Sequence, residues 1–165
     1  MAQASEAQTG PLVAQPSCTT YPIATTTTSS SFSSGNMAEY KATSVQMAWD
    51  NHFAAFGAQD VDKIMLDYDE QSTAEVFDWT SGKHDSFVGL AQIREMFTAL
   101  FAELSDLSTL EAPVCLASEP NLSVFLCWKC PSSGILSATD TFIFGENFKV
   151  KQQNIVVTRK VGSKM

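Results

Sequence analysis

Leu136-Ser137-Ala138-Thr139-Asp140-Thr141-Phe142-Ile143-Phe144-Gly145 is the stretch on which the rest of the chain is organised. Its β-branched and aromatic residues read as a strand, closed by Gly145 and the turn-like Glu146-Asn147. A period of two sends Leu136, Ala138, Asp140, Phe142 and Phe144 to one face and Ser137, Thr139, Thr141 and Ile143 to the other. Asp140 therefore shares a face with four apolar side chains. A carboxylate so placed is either desolvated and functional or hydrogen-bonded and structural, and both shift its pKa.

Outward from this strand the chain reads as a four-strand meander, with strands near 107–117, 122–130, 135–145 and 148–158. Glu119-Pro120-Asn121, Pro131-Ser132-Ser133-Gly134 and Glu146-Asn147 separate them and are short enough for antiparallel hairpins. Upstream lies the clearest helical pattern, about Leu90 to Leu104, with Ile93, Met96, Phe97, Leu100, Phe101 and Leu104 on one side. Its polar side carries Gln92, Glu95, Thr98 and Glu103, as expected of a helix lying on a sheet. A strand at about Thr73 to Trp79, a turn at Ser81-Gly82 and a short strand through Phe87 precede it. The first helix spans about Ser44 to Phe56, with Ser44 as N-cap, Gly57 at its stop, and Val45, Trp49, His52 and Phe56 as its buried stripe. Asp60 caps a shorter helix that carries Val61, Ile64, Met65 and Tyr68 on one face. Helices segregated onto one face of a curved antiparallel sheet define an α+β domain.

The chain has 165 residues, of which 44% are hydrophobic and 17% charged, enough for one globular core. A net charge of −8 argues against nucleic acid or an anionic membrane as partner. Eight acids and one base, Lys63, lie between Asp50 and Asp78, while five bases and no acid follow Glu146; these read as solvated faces of opposite sign. Four cysteines at irregular spacing do not make a disulfide scaffold. Cys127-Trp128-Lys129-Cys130 has redox spelling but lies in a strand, where residues three apart face opposite ways; it reads as packing. No apolar run approaches the ~18 residues of a membrane span. Neither a Gly-rich phosphate loop nor a Gly-x-Ser-x-Gly elbow occurs, His84-Asp85 reads as solvent-facing, and no metal or cofactor is expected.

Residues 1–38 carry one charge, Glu6, and twelve of the eighteen residues from Ser17 to Ser34 are Ser or Thr. Such a segment cannot offset its ordering entropy and is expected to be a disordered tail. Without a basic start and an apolar core it is no secretory signal, and without Arg or Lys it is a poor transit peptide. The folded domain is expected over 39–160, with a short C-terminal tail over 161–165. Ser163-Lys164-Met165, with Arg159-Lys160 upstream, resembles the peroxisomal Ser-Lys-Leu address, so the expected location is cytoplasmic, or peroxisomal where that address is read.

Three phrases together carry a family resemblance: His52-Phe53-Ala54-Ala55-Phe56-Gly57-Ala58-Gln59-Asp60-Val61-Asp62, Gly89-Leu90-Ala91-Gln92-Ile93-Arg94-Glu95-Met96-Phe97, and Thr139-Asp140-Thr141-Phe142-Ile143-Phe144. In this order they resemble the nuclear transport factor 2-like superfamily, in its SnoaL-like and ketosteroid isomerase-like branch, over roughly 44–158. The resemblance implies a cone of three helices on a curved antiparallel sheet, enclosing an apolar pocket and commonly homodimeric. It also implies that Asp140 matches the pocket acid which, in ketosteroid isomerases, stays protonated and donates to an oxyanion. His52 stands where those isomerases carry a tyrosine; an imidazole there can both donate a hydrogen bond and exchange a proton. Their general base aligns with Val76; Asp78 lies two residues on along the same face, and adjacent Glu75 points the other way.

The catalytic candidates are thus Asp140, His52 and Asp78, and the ligand-lining candidates are Trp49, Phe56, Tyr68, Trp128 and Phe142. The expected function is a pocket protein for a small, apolar, carbonyl-containing molecule, working as a cofactor-independent isomerase, cyclase or dehydratase by proton transfer. The alternative is a non-catalytic ligand-binding or dimerisation module in which the outer sheet face makes the protein contact. Transport in the strict nuclear sense would need surface pockets for a small GTPase and for Phe-Gly repeats, and the sequence marks neither.

Overall fold

The computed structural model describes residues 40–162; the Ser/Thr-rich segment and Ser163-Lys164-Met165 lie outside the described residues. Helix α1 spans Val45–Gly57, α2 Val61–Ile64 and α3 Gly89–Glu103. The strands are β1 Thr73–Asp78, β2 Lys83–Val88, β3 Glu111–Ser118, β4 Ser123–Cys130, β5 Ile135–Phe144 and β6 Val150–Arg159. This is the expected order of elements.

The start of α1 is satisfied from two directions. Ser44 Oγ accepts from Met47 N at 3.0 Å, and the Glu119 carboxylate, from the β3–β4 turn, accepts from Val45 N and Gln46 N at 3.0 Å each. A carboxylate at a helix N-terminus also meets the positive end of the helix dipole. At the other end the helix runs through Gly57, and the chain reverses at Gln59 (φ +52°), whose side chain is anchored on Leu104 O at 2.7 Å. Asp60 caps α2 through Lys63 N, as expected. That helix then tightens at once into a 3-10 turn, Met65–Asp67. In a 3-10 turn residues i and i+3 eclipse, so Asp67 falls on the inward line of Ile64.

The six strands form one open sheet in the order β2-β1-β6-β5-β4-β3. Four of its pairs are antiparallel, but β1 runs parallel to β6, with Val76 opposite Ile155, so the sheet is mixed where a wholly antiparallel one was expected. No hairpin links β1 to β6, so turn geometry does not dictate their direction; the chain returns through α3 and the meander. The segment 107–110 turns before β3 begins, because Asp106 Oδ1 accepts from Ser108 N and Leu110 N donates to Leu107 O. Between β2 and α3, Gly89 has φ +78° and lies so close to Glu70 that a Cβ would meet its carboxylate at 3.1 Å. The positive φ is the reason for glycine here, and a side chain would also press on the Glu70 carboxylate.

Register sorts the sheet into two faces. One inward row reads Val76, Ile155, Asp140, Leu126, Cys115; the next reads Ala74, Gln153, Phe142, Val124, Ala117. The helices cover this face, α1 against β3 and β4 and α3 against β1 and β2. Trp49, Ile64, Ile93, Phe97, Val124 and Phe142 form the centre of the core between them. The outward rows read Phe77, Val156, Thr139, Cys127, Val114 and Glu75, Asn154, Thr141, Phe125, Leu116. Leu116, Phe125, Ile143 and Val156 are exposed there, with Trp79 at the margin.

Candidate active site

His52 is carried inward by the buried stripe of α1 and is only 4% exposed. Aromatic rings surround it: Phe142 at 4.9 Å between centroids, Trp49 stacked at 5.8 Å, Phe97 at 5.8 Å and Tyr68 at 6.1 Å. Its Nδ1 faces Asp67 Oδ2 at 3.3 Å, and Asp67 is itself 1% exposed. The pair has the distance of an ion pair but not the alignment of a hydrogen bond, and neither atom has another partner. The other oxygen, Asp67 Oδ1, accepts from Asn51 Nδ2 at 2.8 Å.

Asp140 reaches the same layer from the sheet. Directly opposite it stand Leu126 on β4 and Ile155 on β6, both apolar. Of the diagonal neighbours, Val124 and Val157 are apolar, whereas the Trp128 and Gln153 side chains hydrogen-bond to its carboxyl group. Gln153 Oε1 in turn accepts from the Tyr68 hydroxyl at 2.6 Å. Asp140 Oδ1 is sealed from water with no partner. Burial raises the Asp140 pKa to about 7, against the opposing pull of Trp128 and Gln153. Near neutrality this carboxyl group therefore holds a proton for much of the time, and a protonated carboxyl is a donor. Burial also raises the Tyr68 hydroxyl well above its usual range, reinforced by Asp67 and then Asp140, so it stays a donor.

The other sequence candidates separate into two groups. Trp49, Tyr68, Trp128 and Phe142 are buried around His52 and Asp140. Phe56 is half-buried at the margin, in edge contact with Phe101 and Trp128. Asp78 is also inward and buried, but three donors occupy it: Thr80 N at 2.8 Å, Ser81 Oγ at 3.0 Å and Arg159 Nη1 at 3.1 Å. Burial alone would raise its pKa, but these partners together bring it below the usual carboxylate value. Arg159 also grips Glu103 through Nε at 2.7 Å and Nη2 at 3.1 Å, so Asp78 belongs to a clasp joining β1, β6 and α3. Glu75 points outward, as expected, and bonds His84 Nε2 at 2.8 Å and Ser86 Oγ at 2.9 Å.

Two residues of the cluster carry no role in the sequence reading, Asp67 and Gln153. Gln153 could have been found from its period-two alignment with Ile155 and Val157, once β5 fixed the inward phase. The alternation does not extend back to Val150, which is buried because the register shifts beside it. Asp67 offers only the weak signal of a lone acid inside Ile64-Met65-Leu66-Asp67-Tyr68. Among the described residues no group of three or more His, Cys, Asp or Glu is placed to hold a metal ion, and no helix is long and apolar enough to cross a membrane.

No family model and no curated protein matches the chain. Solved structures do match in fold. A SnoaL-like protein from Burkholderia thailandensis superposes with a TM-score of 0.52 at 19% identity, covering 68% of this chain and 92% of that one. A steroid delta-isomerase from Pseudomonas aeruginosa gives a TM-score of 0.55 at 12% identity, covering 74% and 85%. SalBIII, an epoxide hydrolase/cyclase-like enzyme of pyran ring formation in salinomycin, gives 0.51 at 21% identity, covering 68% and 89%. The chain therefore has the α+β fold of the SnoaL-like, nuclear transport factor 2-like and steroid isomerase-like proteins. At these identities the likeness is one of fold.

Proposed function

We propose that the aromatic layer between α1 and the inward sheet face, where His52 and Asp140 lie, admits a small, flat, apolar carbonyl compound, and that the chain moves a proton on it without a cofactor. One observation carries this reading: Asp140 Oδ1 is buried, unpartnered and part of a carboxyl group raised to about 7. A sealed carboxyl oxygen with no partner is uncommon in a folded interior and calls for an explanation. In this reading protonated Asp140 donates to the carbonyl oxygen, and the developing oxyanion is stabilised there. His52, among the same aromatic rings, exchanges the proton next to the carbonyl. Trp49, Tyr68, Trp128 and Phe142 supply the flat apolar walls, with Phe56 at the margin. Isomerisation, cyclisation and dehydration all fit this pair of groups. That the matched folds include a steroid delta-isomerase and an epoxide hydrolase/cyclase-like enzyme agrees with the reading.

The test is NMR of the full chain with 1-indanone, cyclohex-2-enone and 2-naphthol, following the His52 ring and the Asp140 carboxyl carbon. Saturable shifts at both residues are expected. Silence at both with every compound would sink the proposal.

A second reading, a non-catalytic module, is favoured by the outward rows, where Leu116, Phe125, Ile143 and Val156 are exposed with nothing covering them among the described residues. This face fits a second copy of the chain, and the two readings are compatible.

A further inference from the structure

We infer that Asp67, steadied by Asn51, is the positioning residue for His52, keeping a proton on Nδ1 and leaving Nε2 as the nitrogen that meets a ligand. The geometric part stands by itself; the catalytic consequence rests on the functional reading above.

Asn51 and His52 are consecutive on α1, and Asp67 sits in the 3-10 turn packed beneath them. Asn51 Nδ2 lies 2.8 Å from Asp67 Oδ1 and 3.4 Å from Lys63 O, both acceptors, which fixes the orientation of the Asn51 amide. That contact holds the Asp67 carboxylate, whose second oxygen faces His52 Nδ1 at 3.3 Å. Both facing atoms are closed off from water and have no other partner. Asp67 already accepts from Asn51, and a lone pair on the nitrogen facing its second oxygen would set two acceptors against each other at 3.3 Å, so the contact favours a proton on Nδ1. A half-turn of the ring about its Cβ–Cγ bond would bring the carbon Cδ2, not the other nitrogen, in front of Asp67, so Nδ1 is the one ring nitrogen that can face it. Nε2 is on the far side of the imidazole, and in the neutral ring it carries the free lone pair.

The same geometry says what an isosteric change does. In Asp67→Asn the donor on Asn51 demands an oxygen opposite it. The new side chain must then turn its NH₂ towards His52 Nδ1, which becomes an acceptor. The ring proton moves to Nε2, and a base facing the ligand becomes a donor.

The experiment is ¹⁵N NMR of the histidine rings in the full, ligand-free chain, wild type and Asp67→Asn. There are two histidines, so one His84→Gln spectrum assigns both. The expected result is a pyrrole-type Nδ1 on neutral His52 in the wild type and inversion to a pyrrole-type Nε2 in Asp67→Asn. The wild-type spectrum is decisive even where the variant does not fold: a neutral ring protonated on Nε2 overturns the inference. So does a folded Asp67→Asn protein whose tautomer is unchanged. Adding 2-naphthol to the wild type separates the two ideas, since an unresponsive His52 counts against the functional reading and leaves the tautomer result standing.

Discussion

The Tyr68 hydroxyl donates to Gln153 Oε1 across 2.6 Å, from the end of the 3-10 turn to the last strand. The bond fixes the Gln153 amide: with its oxygen taken by Tyr68, its NH₂ is the group that meets Asp140. Tyr68→Phe frees that amide to turn. Asp140 then loses a donor to its ionised form, and its pKa moves above about 7. Carboxyl ¹³C titration of the variant against the wild type measures the change, and an unaltered or lower value would contradict the described chain of bonds.

Asp140 also makes stability depend on pH in a definite direction. Its folded pKa, about 7, lies above the ~3.9 of an unfolded aspartate. The folded chain therefore holds the proton more tightly, and its stability falls as pH rises from about 4 to about 7. At about 1.4 kcal/mol per unit, the buried charge costs on the order of 4 kcal/mol above that window. Asp140→Asn removes the titration and is expected to be more stable than wild type at pH 8 and equal to it near pH 4. Denaturant melts at both pH values decide this.

The Asp78–Arg159–Glu103 clasp acts with the opposite sign. The Asp78 pKa is lowered, so its contribution is present above the unfolded pKa and is lost as pH falls through the folded one. Arg159→Met leaves the buried Asp78 and the partly buried Glu103 without their cation and should cost about 3 kcal/mol at pH 7, less in acid. Equal loss at both pH values would mean that packing, not charge, is what Arg159 provides.

Glu119 reaches across 73 and 74 residues of chain to hold the first turn of α1, the helix that carries His52. Glu119→Ala should destabilise by about 1 kcal/mol, comparable to Ser44→Ala. It should also speed amide hydrogen exchange at Val45 and Gln46 before it affects the rest of the helix. Exchange rates unchanged at those two amides would rule the cap out.

For the outward face, Phe125→Glu and Leu116→Glu are expected to halve the sedimenting mass while leaving the circular dichroism unchanged. A wild-type chain that sediments as a monomer at every concentration tried would end the second-copy reading.

Much of this molecule is legible in local pattern. Period two over Ala138 to Phe144 places Asp140 inward, and Asp60 and Ser44 announce their helices. Leu136, expected on the same face as Asp140, is exposed, because the register shifts between Ile135 and Ser137 and Ile135 turns inward instead. What escapes local pattern depends on partners distant in sequence or on a change of helix type. The parallel pairing of β1 with β6 has no turn to signal it. Asp67 is hidden for a different reason: its inward direction comes from a 3-10 turn, and the α-helical period that organises α1 does not extend to it. From sequence, the carboxylate expected to work with His52 is Asp140, whereas the structure sets Asp67 against its ring nitrogen.

The pairing of β1 with β6 also bears on how the chain comes together. Thr73 and Gln152 are neighbours, yet the whole of α3 and the meander separates them in sequence. During synthesis the β1–β2 hairpin emerges early, with one side of β1 unpaired until β6 follows. That interval is when an open strand edge is available to another chain. Closing so long a loop also slows the final step of folding. Completion of the sheet, and with it the anchoring of Gln153 beside Asp140, thus waits for the last strand to leave the ribosome.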